Sequence, residues 1–207
     1  MLIFDLDGTL IHSNHIWVSV QKKFLKRRKL TYTPAYERGI AYGTLSECAV
    51  FAKDHLGLTV SCEEIVQEWT ELIGGSYAQA ELKPYAREYL ERQWEKGRPM
   101  AIFTAAPAEC CRAALDANGI AGFFSRIVYV QDLCEDKASS AAFEKLIRLL
   151  DVSPQECTYF DDSYRVCKAA KDTGMTVIGI KDDYFQESAA EMEALCDRYI
   201  ASYQELL

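Results

Sequence analysis

Four short apolar runs, at residues 100–103, 127–130, 158–160 and 176–180, are each separated from the next by a stretch with helical spacing. Strands that alternate with helices in this way pair in parallel, because a parallel connection needs a crossover of a dozen or more residues and the crossover is usually a helix. Residues 2–4 add one more apolar strand at the start of the chain. The expected fold is therefore α/β, a doubly wound parallel sheet with helices on both faces. Between the first strand and the rest the rhythm differs. Residues 16–30, 36–56 and 63–80 carry apolar residues at helical spacing, broken by Pro34, by Gly57 and by Gly74 with Gly75. This block, residues 14–81, is read as an all-helical insertion into a core made of residues 1–13 and 82–207, with linkers at 12–14 and 82–84. An insertion that leaves just past the first strand sits over the strand ends, where a lid would be.

Residues 4–10 read Phe-Asp-Leu-Asp-Gly-Thr-Leu, so the first strand runs straight into Asp5 and Asp7. Gly8 lets the chain turn there without Cβ strain. Asp-x-Asp-Gly also suits a plain turn. Two carboxylates this close repel, and they imply either a shared proton or a hard cation such as Mg2+, with the cation the better fit to oxygen donors. Other strand ends carry matching groups. Thr104, with Ala105, follows the run at 100–103, and a hydroxyl with exposed backbone amides at a helix start suits a phosphate oxygen. Lys137 follows the run at 127–130 and supplies a point charge. Asp161 and Asp162 follow the run at 158–160. In a parallel sheet these positions gather along one edge, where open α/β folds bind ligands.

The succession Asp5-x-Asp7-Gly8-Thr9, Thr104, Lys137, Asp161-Asp162-Ser163 resembles the four motifs of the haloacid dehalogenase superfamily, in its phosphatase and β-phosphoglucomutase-like branch. The resemblance covers the whole chain except residues 14–81, where position and helical character alone match. It implies a Rossmann-like core under a mobile helical cap, and a Mg2+-dependent phosphatase acting on a small phosphomonoester. Asp5 would attack phosphorus to form an aspartyl-phosphate, and Asp7 would be the general acid and base. Thr104, the Ala105 amide and Lys137 would bind phosphate. The resemblance implies Mg2+ held by Asp5, by Asp7 through its backbone carbonyl and by Asp162, with Asp161 ligating or orienting. A phosphomutase of the β-phosphoglucomutase type would use the same Asp5 and Asp7, and a non-catalytic phosphate-binding protein would keep the same pocket. Asp7 argues against a dehalogenase, which has no need of an acid there. Two positions depart from the pattern: His12 stands where many relatives have Asp, and Lys137 is followed by Ala138, Ser139 and Ser140 without the usual prolines. The family also has a few residues ahead of its first strand, so here the strand is short or the chain starts upstream of Met1.

A net charge of −8 opposes nucleic acid and acidic membrane as partners, and leaves a small phosphorylated metabolite. The apolar runs are too short to span a bilayer, and no basic and apolar leader precedes the first strand, so the expected location is cytoplasmic. The eight cysteines are scattered without Cys-x-x-Cys spacing and read as reduced thiols, with no zinc site. His12, His15 and His55 are not spaced as ligands. One stretch runs against the overall charge: Lys22, Lys23, Lys26, Arg27, Arg28 and Lys29 lie within residues 22–29. A solvated helix face, with Val20, Phe24 and Leu25 on the buried side, explains it. The alternative is that some of these cations face the active site and bind a second anionic group of the substrate. Asp182 and Asp183 form a second acidic pair past the fifth strand, suited to starting the next helix and a rival for the metal. Nothing in the sequence sets an oligomeric state.

Overall fold

The computed structural model describes residues 1–41 and 43–207. Its six strands are β1 (Leu2–Phe4), β2 (Met100–Thr104), β3 (Arg126–Tyr129), β4 (Thr158–Asp161), β5 (Thr176–Ile180) and β6 (Arg198–Ile200). They form one parallel sheet in the order β3-β2-β1-β4-β5-β6, with Leu2 beside both Met100 and Thr158. The first strand thus lies at the centre, and the order reverses direction across it, which opens a crevice at the strand ends. β1 and β2 are buried along their whole length, as strands covered on both faces must be.

The helices are α1 (Asn14–Arg27), α2 (Pro34–Ile40), α3 (Leu45–Leu56), α4 (Cys62–Ile73), α5 (Ala86–Glu95), α6 (Ala108–Ala117), α7 (Val130–Leu133), α8 (Ser140–Leu150), α9 (Tyr164–Asp172) and α10 (Ala189–Leu195). Alternate strand residues feed two cores. Ile3, Phe103, Tyr159 and Val177 join Phe143 and Leu146 of α8 and Cys167 and Ala170 of α9 on one face. Phe4, Ile102, Phe160 and Ile178 join Leu90 of α5 and Leu115 of α6 on the other. Phe4 and Phe160 stack at 4.4 Å between ring centroids, locking β1 to β4.

Helices α1 to α4 all fall between β1 and β2 and pack on one another, with Phe24 of α1 edge-on to Trp69 of α4 at 5.4 Å. The chain enters and leaves this group through two segments that pair antiparallel. Ile11 bridges Leu82, His12 N–H donates to Glu81 O at 2.8 Å, and Lys83 N–H donates to Leu10 O at 2.8 Å. A 3-10 turn, Ser76–Gln79, then packs on α6.

Several expected elements are corrected. The helix expected over 36–56 is two helices, because Thr44 caps α3 in a reciprocal box with Glu47 and so starts a new helix; Tyr42, between them, lies outside the described residues. The helix expected over 63–80 stops at Ile73, ahead of Gly74 at φ +47°. Val130 begins α7 instead of ending β3. The sixth strand was not expected. All eight cysteines are free thiols. No helix among the described residues is long and apolar enough to cross a membrane.

Candidate active site

β1 ends at Phe4, but the Asp5 N–H still donates to Phe160 O at 2.9 Å, so the sheet fixes the backbone of Asp5. The chain then turns at Gly8, φ +69°, where a Cβ would overlap Asp162 Oδ2 and Asn14 Nδ2. Glycine is required there twice over, for its left-handed backbone and for the close approach of the loop after β4.

Lys137 joins the strand ends. Its ammonium, almost fully buried, donates to Asp5 Oδ1 and to Asp161 Oδ2, the latter at 3.0 Å. Asp161 is saturated by other donors: Tyr159 Oη at 2.6 Å on Oδ2 and the Ser163 N–H at 2.8 Å on Oδ1. Asp7 Oδ1 accepts from Ser13 Oγ at 2.5 Å and from Tyr77 Oη at 2.7 Å. Asp162 Oδ2 accepts from Asn14 Nδ2 at 2.8 Å, and the same amide reaches Asp182 Oδ1 at 3.0 Å. Asp182 in turn holds Lys83 Nζ at 2.5 Å and caps the turn after β5 through the Tyr184 N–H at 2.9 Å. The second acidic pair therefore does start the next helical turn, and Asp182 is also tied to the site through Asn14.

Three of these acids, Asp5, Asp7 and Asp162, resist ionisation. Burial pushes Asp5 up to about 7, helped by Asp161 and Asp7 and opposed by Lys137. Burial also raises Asp7, against the hydroxyls of Ser13 and Tyr77 that favour its carboxylate. Asp162 stands well above the ordinary range through burial and then the charges of Asp161 and Asp5. Burial works against the charge on Lys137, yet Asp161 and Asp5 beside it hold its ammonium above the ordinary lysine range.

A cavity of about 140 Å³ opens on this floor, lined by Asp5, Asp7, Lys137, Asp161, Asp162 and Ser163 below and by side chains of α1, α3 and α4 above. Of the predicted phosphate ligands, Ala105 lines it. Thr104 does not; it is fully buried, and its hydroxyl oxygen accepts the Ala106 N–H at 3.0 Å, which shapes the turn that presents Ala105 and Ala106. The basic run divides. Arg27 and Arg28 pair with Glu68 of α4 at 3.0 and 2.6 Å, whereas Lys22, Lys23 and Lys26 line a separate cleft that also contains Lys83 and His12. None of the run lines the cavity over Asp5. Val20, Phe24 and Leu25 are the buried side of α1, as expected.

Ser13, Asn14, Tyr77 and Tyr159 escaped the sequence reading. Ser13 and Asn14 fell in a linker, Tyr77 in what read as helix, and the alternation that turns Tyr159 inward marks a core residue as readily as a partner of Asp161.

A profile of the haloacid dehalogenase-like hydrolase family matches residues 2–180. The chain belongs to this family. Relatives of this hydrolase include the chloroplastic 5-amino-6-(5-phospho-D-ribitylamino)uracil phosphatase of Arabidopsis thaliana, 25% identical over 198 residues, or 92% of this chain and 52% of the relative. The chain thus spans about half the length of that protein. The validoxylamine A 7'-phosphate phosphatase of Streptomyces hygroscopicus subsp. limoneus is 23% identical, over 93% of this chain and 91% of its own. The hydrolase shares its fold with CbbY from Rhodobacter sphaeroides, solved in complex with phosphate, at a TM-score of 0.86 and 21% identity over 99% of this chain and 95% of that one.

Proposed function

We propose that this hydrolase is a Mg2+-dependent phosphatase that cleaves a small phosphomonoester through an aspartyl-phosphate on Asp5. The observation that carries the reading is the unequal treatment of two neighbouring acids on one cavity floor. Burial raises both, but Asp5 is hydrogen-bonded to the Lys137 ammonium, which favours its ionised form, while the direct partners of Asp7 are the neutral donors Ser13, Tyr77 and Trp17. Paired acids with environments this different divide into nucleophile and proton carrier. Asp5 attacks phosphorus as the ester P–O bond breaks, and Asp7 gives its proton to the departing alcohol oxygen. A water, losing a proton to Asp7, then attacks phosphorus, breaks the bond to Asp5 and releases phosphate. Lys137 and the Ala105 amide hold phosphate oxygens as charge moves.

The donor set fits a hard cation. Asp5, Asp7 and Asp162 offer oxygens, Lys137 is the one cation among the described residues that line the cavity, and Ser163 Oγ is buried there without a hydrogen-bond partner. No group of three His, Cys, Asp or Glu side chains among the described residues encloses a metal by itself. Mg2+ suits such a partial set, since it keeps several waters and takes substrate phosphate as a ligand. When bound it supplies the positive charge that keeps Asp5 ionised and offsets the phosphate oxygens. Asp162 would be a ligand, and Asp161 would ligate or orient, holding Lys137 at 3.0 Å.

In this reading residues 14–81 are the cap and residues 1–13 and 82–207 the catalytic core, with the paired crossings at Ile11 and Leu82 as the hinge. The free thiols suit a reducing compartment such as the cytoplasm. The test is phosphate release from a panel of small esters, with Mg2+ or with EDTA, beside Asp5→Asn. Release that needs the metal and falls by more than a hundredfold in the variant supports the reading; Asp5→Asn retaining a tenth or more of the activity would refute the covalent step.

A further inference from the structure

We propose that the cavity selects a phosphomonoester whose organic group is uncharged, largely apolar and equipped with a hydrogen-bond acceptor for the Trp69 indole N–H, an inference that rests on the phosphatase reading above. All the charge in the cavity is on its floor. Above the acids the walls are apolar or neutral: Trp17, Ile40, Leu45 and Trp69 on one side, Tyr184 and Phe185 on the other. Among the described residues that line it, no Lys, Arg or His stands above Lys137. A carboxylate or second phosphate on the substrate would lose its water there without a counter-charge, beside a floor already rich in carboxylates. None of the nearby cations lines the cavity: Arg27 and Arg28 pair with Glu68, and Lys22, Lys23 and Lys26 line the adjoining cleft, with Lys22 Nζ 5.4 Å from the centroid of the Tyr32 ring.

Trp69 is fully buried, and its Nε1 has no hydrogen-bond partner. Its ring is fixed edge-on against Phe24, so it cannot turn to find one locally. A phenylalanine would fill the same core without that cost, since an unpaired buried N–H is expensive. Trp69 lines the cavity, and the acceptor on a bound ester is the partner proposed for its N–H. Gln21 also lines the cavity, and its carbonyl oxygen already accepts the Tyr36 hydroxyl at 2.7 Å, so its amide hydrogens are the part left to bond. The upper cavity therefore offers donors and asks for an acceptor. At about 140 Å³ it is also well below the roughly 300–1,000 Å³ of pockets for drug-sized ligands, which limits the organic group to a small one.

Binding separates this inference from turnover. Calorimetry on the full-length Asp5→Asn chain with Mg2+ would compare tetrahydrofurfuryl phosphate, whose ring oxygen is a neutral acceptor, with 2-phosphoglycolate, ribose 1,5-bisphosphate and inorganic phosphate. The neutral ester is expected to bind at least tenfold more tightly than either ester with a second anionic group. Adding Trp69→Phe should weaken the neutral ester by about tenfold, the loss of one hydrogen bond, and leave inorganic phosphate unchanged as the sign of an intact floor. The inference falls if either doubly anionic ester binds as tightly, if no ester binds, or if Trp69→Phe leaves the neutral ester unaffected. Wild-type turnover is read apart from this: a neutral ester that binds selectively but is never cleaved defeats the phosphatase reading alone, and rapid cleavage favouring 2-phosphoglycolate defeats this inference alone.

Discussion

Replacing Asp5 by asparagine should make the metal-free protein more stable. Asp5 is almost fully buried, and burial moves its carboxyl from the ordinary 3.8 to about 7. Between those two values the folded chain holds a proton that the unfolded chain has released, so stability falls as pH rises through this window. Above about 7 the penalty is complete, and at 1.36 kcal/mol for each pH unit it reaches about 4 kcal/mol. Asparagine has nearly the same shape and carries no charge, and Lys137 keeps Asp161 as a partner at 3.0 Å. Asp5→Asn should therefore gain up to about 4 kcal/mol at pH 8 in EDTA, or roughly 10 °C in melting temperature for a chain of this size. The gain should shrink as pH falls toward 3.8 and vanish below it, where the carboxyl is protonated in both states. Mg2+ should close the gap at pH 8 by binding the wild type more tightly than the variant. Urea and thermal unfolding at pH 4.5, 6 and 8 decide it. An Asp5→Asn variant that is less stable at pH 8, or equally stabilised at every pH, would show that the Lys137 ion pair outweighs desolvation and that the floor is not overcharged.

Tyr77→Phe removes a donor at 2.7 Å from Asp7 and should raise the pKa of that acid further; the acid limb of the kcat profile, which needs ionised Asp7 for the water step, should move up by about one pH unit. A limb that stays in place would exclude Asp7 as the base. Gly8→Ala should cost about 2 kcal/mol or more in urea unfolding, because the backbone is left-handed and the new methyl meets Asp162; Mg2+ affinity measured by calorimetry should fall with it. Lys83→Met removes the cation beside the part-buried Asp182 carboxylate and should cost about 1–3 kcal/mol near neutral pH. Burial opposes ionisation of Asp182, but Lys83 and Asn14 hold its pKa below the ordinary 3.8. The stability this lends is present above 3.8 and lost as acid protonates the carboxylate, so the deficit of Lys83→Met should narrow in acid.

What could be read from the sequence was whatever the strands carry. Asp5, Asp161 and Asp162 had to meet because β1 and β4 are parallel neighbours, and register does the rest. Lys137 follows β3, two strands away from β1, and a long flexible side chain makes up the distance. The groups that tune these acids were not legible, since Ser13, Asn14 and Tyr77 reach them from the helical segment, and a hydroxyl or amide in a helix or linker carries no mark of its partner. Thr104 is open to two readings for a related reason: a strand-end hydroxyl can serve a ligand or the next turn, and here its oxygen accepts the Ala106 N–H. The basic run looked uniform because the acid that divides it, Glu68, is on another helix. β6 is three residues long at the sheet edge and too short to show a period.

The helical segment and the acids are mechanically one device. Asn14 opens α1 and holds Asp162, while Ser13 and Tyr77 flank the same segment and hold Asp7. A swing of α1 to α4 about the paired crossings would withdraw Asn14 from Asp162, while Tyr77, on the turn that packs on α6, would stay by Asp7. The same swing would admit water, and since burial is the largest cause raising Asp5, Asp7 and Asp162, an open enzyme would be the more ionised one. Admission of substrate and protonation of the acids would then be geared together: the floor would gain charge as it opens and take up protons as it shuts, and its proton count would become a readout of hinge angle.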